Sequence, residues 1–206
     1  MAQEAQTIDM ETVKIPRTSL VSSRIALGTW AMGGWMWGGT DEAESIRTIR
    51  EALDRGITLI DTAPVYGFGR AEEIVGKALT ESSQRQGVLI ATKVGLDWRN
   101  DQPFRSASRA RIVKEVEDSL HRLKTNEIDI YQVHWPDPKV TIEETASAMA
   151  ELYRSGKIRA IGVSNFSPAQ MNAFRTVAPL HTAEPPYNLF ERGIEQDVLP
   201  YCVQYK

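Results

Sequence analysis

With 206 residues, 42% of them hydrophobic and 25% charged, the chain has the makings of one large globular domain or at most two small ones. A formal net charge of −3 leaves no basic footprint for nucleic acid or an anionic membrane. No apolar run approaches the roughly 20 residues that cross a bilayer, and the single cysteine, Cys202, excludes an internal disulfide and fits a reducing, cytoplasmic setting.

Taken in chain order, Met1 to Asp9 are polar and slightly acidic and read as a loose leader ahead of one domain over 10–206. Thr12–Ile15 and Leu20–Ser23, around Pro16-Arg-Thr-Ser19, predict a small hairpin. Strands are predicted at Ile25–Trp30, Ile57–Thr62, Val88–Lys93, Ile128–His134, Ile158–Val163 and His181–Tyr187. Helical patterns alternate with them near 42–55, 70–80, 109–123, 142–155 and 168–176, with a weaker one near 194–203. In the third helix, Ile112, Val113, Val116, Leu120 and Leu123 share one face, and Arg111, Lys114, Glu115, Glu117 and Asp118 take the other. Thr141-Ile-Glu-Glu144 and Ser167-Pro-Ala-Gln170 read as capping boxes, Asp41 with Glu44 as another helix start, and Gly56 and Gly156 as helix ends.

Six such units leave an open doubly wound sheet or a closed eightfold barrel. No G-x-G-x-x-G follows the first strand, and the glycines of Gly33-Gly-Trp-Met-Trp-Gly-Gly39 are interrupted by bulky residues with no phosphate-loop lysine after them. The expected class is therefore α/β, a parallel (β/α)8 TIM-barrel fold, incomplete at about six βα units and preceded by a hairpin.

Barrel chemistry gathers at the C-terminal ends of strands. Those ends bear Trp30, Asp61, Lys93, His134, Ser164 with Asn165, and Glu184, while Tyr66 lies in the loop after Asp61. Each has a plain structural explanation taken alone; an aspartate caps a helix, a tyrosine packs, a histidine is satisfied in place. Lys93 is harder to explain that way, because an ammonium ending an apolar strand must be paired or lose its proton. Together the four types form a proton-delivery chain. A phenol, with a pKa of about 10, needs a neighbouring ammonium to become an effective acid near neutrality, and a carboxylate holds that ammonium charged. His134 then orients a carbonyl oxygen. The same lysine equally permits a Schiff base with a carbonyl substrate, so carbonyl reduction and imine chemistry both remain open on these residues.

Leu27-Gly-Thr-Trp30, Leu59-Ile-Asp-Thr-Ala-Pro-Val-Tyr-Gly67, Ala91-Thr-Lys93, Asp129-Ile-Tyr-Gln-Val-His-Trp-Pro-Asp137 and Ile161-Gly-Val-Ser-Asn-Phe166 occur in an order and spacing that resembles the aldo-keto reductases, most closely a bacterial general-stress subgroup. The resemblance runs from about Ile25 to the end and selects carbonyl reduction. It implies Asp61, Tyr66, Lys93 and His134 as catalytic tetrad, with Tyr66 the proton donor. It also implies NADPH as hydride source, a small carbonyl compound as substrate, and a cofactor-facing set of Thr29, Trp30, Asp61, Ser164, Asn165 and Glu184. Trp30 and the Trp35–Trp37 loop line the substrate approach or simply anchor the loop. Glu184 departs from the family's usual glutamine, since a carboxylate has no N–H to donate. The chain stops at Tyr205-Lys206, about where a seventh strand is expected. The barrel strands that hold the rest of the cofactor are then missing, and the chain alone is expected to be impaired as an enzyme. The alternative is a non-catalytic remnant that binds or assembles through its open sheet edges. Of the remaining histidines, His121 reads as a helix-end surface residue and His181 has no partner that the sequence identifies. Asn165-Phe-Ser167 reads as a strand end followed by a helix cap.

Overall fold

The structure, a computed structural model, describes residues 10–81 and 86–205. The expected leader lies outside the described residues. The chain opens with the hairpin of β1 (Thr12–Lys14) and β2 (Val21–Ser23), then continues through β3 (Leu27–Gly28), α1 (Glu42–Asp54), β4 (Leu59–Asp61), α2 (Arg70–Thr80) and β5 (Leu89–Val94). A second hairpin follows, β6 (Leu96–Arg99) with β7 (Gln102–Arg105), and leads to α3 (Arg109–Leu123), β8 (Ile128–Val133), α4 (Ile142–Arg154), β9 (Ile158–Ser164), α5 (Pro168–Arg175), β10 (Thr182–Glu184) and α6 (Val198–Gln204). The six strands β3, β4, β5, β8, β9 and β10 pair in that order, all parallel, in one sheet.

Every residue of β5 and β8 is buried, as a parallel strand covered on both faces requires. The two-residue pleat divides them. Leu89 and Ala91 join Ile130, Ala160 and Leu20 in a small inner cluster closed from below by the first hairpin. Ile90, Val94, Tyr131, Val133, Ile161 and Val163 face the helices and belong to the larger outer core. Lys93, Gln132 and Ser164 continue the inner series upward and carry polar groups to the top of the sheet.

Helix starts follow the local chemistry in most cases. Asp41 accepts from the Glu44 amide, and Ser167 with Gln170 forms a complete capping box with Pro168 at the first helical position. Thr141 forms only half of the box expected of it: its hydroxyl accepts from the Glu144 amide, but the Glu144 side chain accepts from the amide of Arg109 on α3.

Four further features differ from the sequence expectation. The first strand is only two residues long, because Trp30–Gly33 turns into a 3-10 helix. The sixth stops at Glu184, where Pro185 and Pro186 remove the next two amide donors. The β6–β7 hairpin occupies a stretch to which no element was assigned; Asn100 and Asp101 at φ 50° and 58° make its tight turn. Finally, Glu115 and Arg111 of α3 do not lie on a solvated face. Glu115 is fully buried and accepts from both Arg111 and Arg122, while the fully buried Glu72 of α2 accepts from Arg122 Nε at 2.6 Å and Thr92 Oγ1 at 2.6 Å. This network ties α2 and α3 to β5.

Candidate active site

The upper ends of the inner strands converge as the pleat dictates. Lys93 Nζ, with its residue 1% exposed, donates to Asp61 Oδ1 and Oδ2 at 2.6 and 2.8 Å, to Tyr66 Oη at 3.2 Å and to the Thr62 carbonyl at 3.3 Å. The His134 ring stands perpendicular to that of Tyr66, with centroids 5.9 Å apart. Asp61, Tyr66, Lys93 and His134, separated in sequence, therefore form one cluster.

Tyr66 reaches the cluster because its loop is pressed against the turn after β3. A Cβ on Gly33 would lie 2.5 Å from the Tyr66 carbonyl carbon, and one on Gly67, at φ +63°, would lie 2.0 Å from the Gly33 oxygen. Glycine is required at both positions for this close approach. Trp30 stacks over Tyr66 at 6.0 Å and meets Trp37 edge-on at 5.6 Å.

Electrostatics follows from burial and charge. Burial pulls the Lys93 ammonium down, but Asp61, Tyr66 and Glu184 more than offset it and hold the group above its ordinary value. Burial pushes the Asp61 carboxyl up to about 6 against the pull of Lys93, with Glu184 adding to the rise. Tyr66 is raised, by burial first, with Lys93 acting in the opposite direction. His134 is lowered to about 3 by burial and by the nearby ammonium, so it is neutral through the physiological range.

A cleft of about 370 Å³ opens over the cluster, and its walls include Trp30, Trp35, Tyr66, His134, Ser164, Asn165 and Glu184. Not every expected cofactor-facing residue lies on it. The Thr29 amide and hydroxyl both donate to the Asp61 carbonyl, each at 3.0 Å, and the residue is fully buried below the cleft. Ser164 Oγ donates to the Glu184 carbonyl at 2.6 Å, and Asn165 Nδ2 donates to the His134 carbonyl at 2.9 Å and to Ser164 Oγ at 3.0 Å. Asn165 holds this place at φ 61°, in the left-handed region that asparagine tolerates better than most residues. Trp30, Trp35 and Trp135 wall the cleft, and the Asn165–Ser164 pair lies on its lining.

Four further residues, Gln132, Leu96, Pro103 and Trp135, contribute to the site beyond those expected from the sequence. Gln132 donates to Glu184 Oε2 at 2.6 Å from the inner face of β8. Its signal was available: it is the polar inner residue of a buried strand, two before His134. Leu96 and Pro103 of the second hairpin wall the cleft, as does Trp135; the tight turn between the hairpin strands was the only cue. His181 finds its partner in the Ile161 amide, which donates to its Nδ1 at 3.0 Å, and His121 is exposed. Among the described residues no group of three or more His, Cys, Asp or Glu side chains is arranged to hold a metal, and no helix is long and apolar enough to cross a membrane.

Comparison with known proteins agrees with this architecture. The Aldo/keto reductase family model matches residues 24–206. Aldo-keto reductase YhdN of Bacillus subtilis is 67% identical over 197 residues, covering 96% of this chain and 60% of its own length. The NADH-specific methylglyoxal reductase of Escherichia coli is 38% identical, over 94% of this chain and 64% of its own. The glycerol dehydrogenase AKR11B4 of Gluconobacter oxydans superposes with a TM-score of 0.89 at 55% identity, over 96% of this chain and 61% of its own. The chain thus spans about 60% of the length of YhdN, and with its motifs, its parallel sheet and the match from residue 24 to 206 it belongs to the aldo/keto reductase family.

Proposed function

We propose that this chain carries the proton-delivery apparatus of a nicotinamide-dependent reductase acting on small aldehydes and ketones. The observation that carries the reading is the continuous contact from Asp61 through Lys93 to Tyr66 beneath a cleft whose wall includes a neutral His134. In this reading Tyr66 Oη gives its proton to the oxygen that becomes the alcohol. Lys93, held cationic by Asp61, stabilises the phenolate left behind. His134, neutral and beside Tyr66, orients the carbonyl oxygen by a hydrogen bond.

Ser164 and Asn165 would hold the carboxamide of the nicotinamide, and Trp30 would wall the ring. When bound, the nucleotide supplies the hydride. NADPH is the form that the family resemblance implies. A relative is named as NADH-specific, so both nucleotides belong in the test. Thr29 and Asp61 would support the cofactor side from beneath. Imine chemistry at Lys93 is disfavoured, because a Schiff-base lysine must be neutral to attack, whereas this one is held charged and hydrogen-bonded. A half-buried, unpaired Cys202 is in keeping with a cytoplasmic protein.

The test is titration of the purified chain with NADPH and NADH, following nucleotide fluorescence and its consumption with a small aldehyde. Turnover that falls on the order of 10²–10⁴-fold in Tyr66→Phe, with nucleotide binding retained, upholds the assignment. Equal and measurable turnover in the variant defeats it; where the chain by itself shows none, the same pair is compared in a chain extended to the length of YhdN. Trapping of substrate on Lys93 by borohydride would transfer the site to imine chemistry.

A further inference from the structure

Lys93 has more anionic company than a simple ion pair. Besides the two Asp61 oxygens, Glu184 Oε1 lies 3.4 Å from the ammonium nitrogen. Glu184 is seated there by its surroundings. Its Oε2 accepts from Gln132 Nε2 at 2.6 Å, and its backbone carbonyl accepts from Ser164 Oγ at 2.6 Å. Gln132 in turn fits its place because β9 carries Gly162 alongside, where a Cβ would come within 2.8 Å of Gln132 Cγ. The register makes this a row across the sheet: Lys93 opposite Gln132, Gln132 opposite Gly162, Gly162 opposite Thr182. The charged and titratable groups facing Lys93 are Asp61 from β4, Tyr66 from the loop after it, His134 from the end of β8 and Glu184 from β10. β9 and the residue after it bring only the uncharged Gly162, Ser164 and Asn165. One cation thus serves two carboxylates.

We propose that Glu184 is a positioning residue of the acid–base site, seated by Gln132 so that it shares the Lys93 ammonium with Asp61 and sets how tightly the Asp61–Lys93–Tyr66 chain holds its proton. The proposal deepens the reading of Tyr66 as proton donor and rests on it. A carboxylate with both oxygens already engaged acts inward on Lys93, which gives the departure from glutamine at this position a consequence for the proton side of the site. Two carboxylates around one buried ammonium leave an excess negative charge, which opposes ionisation of Asp61. The raised Asp61 carboxyl, to which burial contributes most and Glu184 adds, is in line with this.

The experiment is a carboxyl-carbon NMR titration of the 206-residue chain from about pH 4 to 8, with the Asp61 resonance identified by its loss in Asp61→Asn. In Glu184→Gln the Asp61 midpoint is expected to fall by about 1 pH unit, and in Glu184→Ala by a similar amount. Gln132→Leu, which leaves Glu184 in place but unseats it, is expected to give a smaller shift in the same direction. Circular dichroism verifies that each variant is folded; should Glu184→Ala fail to fold, the glutamine variant decides. An Asp61 midpoint unchanged in folded Glu184→Gln overturns the proposal and reduces Glu184 to a wall of the cleft. The titration requires neither nucleotide nor turnover. A shift together with reduction that is unaffected by Tyr66→Phe therefore upholds the role of Glu184 and counts against Tyr66 as proton donor, whereas Tyr66-dependent reduction without a shift does the reverse.

Discussion

His134 illustrates what burial does to a single residue. Its ring is lowered to about 3, well under the ordinary histidine value of about 6.5, so the fold binds the neutral form and excludes the charged one. A base depressed in this way contributes stability that is fully present above its unfolded pKa and is lost as pH falls through the folded one. The chain should therefore lose stability progressively as pH falls from about 6.5 toward 3. Urea unfolding across that range should show a shallower loss in His134→Gln; equal slopes would mean that burial of this ring is not what acid reverses. Tyr131 gives a second residue-level prediction. Its hydroxyl is buried beside the Glu72–Glu115 network with no hydrogen-bond partner among the described residues. Removing an unsatisfied polar group is neutral or favourable, so Tyr131→Phe should leave stability unchanged or raise it by up to about 1 kcal/mol. A clear loss in the same urea experiment would reveal a partner for the hydroxyl.

At the level of elements, the α2–α3 pair depends on charges that periodicity assigns to solvent. Glu115 falls among the polar positions of α3, yet the neighbouring helix brings Glu72 and shares Arg122 with it. A helical wheel reports one helix and contains no information about the neighbour that covers its flank. Truncating Glu72 to alanine should cost about 3 kcal/mol in denaturant unfolding, because Arg122 and Thr92 each lose a buried acceptor. A loss near that of an exposed ion pair, under about 1 kcal/mol, would show the network to be solvated. The loops over the cleft follow the same logic. With Tyr66 as the proposed proton donor, Gly33→Ala should push the Tyr66 loop away from Lys93 and lower turnover more than it lowers stability, since the displaced atoms are backbone of that loop. Equal turnover in a folded variant would show that the contact is slack.

At the scale of the molecule, β3 and β10 are the terminal strands of the sheet, each paired on one side only among the described residues. Unpaired edges of a parallel sheet are templates for association. Nearby, Leu189 and Phe190 are 85% and 98% exposed. The isolated chain is expected to self-associate as concentration rises, measurable by sedimentation velocity; a strictly monomeric chain at high concentration would show that the edges are protected.

The alternation of strands and helices, most of the helix caps and the identity of the four clustered side chains are legible along the chain. Those features rest on spacing along the chain: apolar runs end at Asp61, Lys93 and His134, and Ser167 with Gln170 caps its helix wherever that helix is placed. Whatever depends on the approach of segments distant in sequence is set by the fold. Gly33 under Tyr66, Glu72 beside Glu115, the second hairpin against the cleft, and Gln132 holding Glu184 at Lys93 are all contacts across strands or helices. Thr29 shows the difference well, for its motif marks it as important, but only the fold shows that its hydroxyl is engaged by the backbone of Asp61. Local chemistry is written in neighbouring residues, whereas the partner of a buried polar group is set by which strands the sheet places side by side.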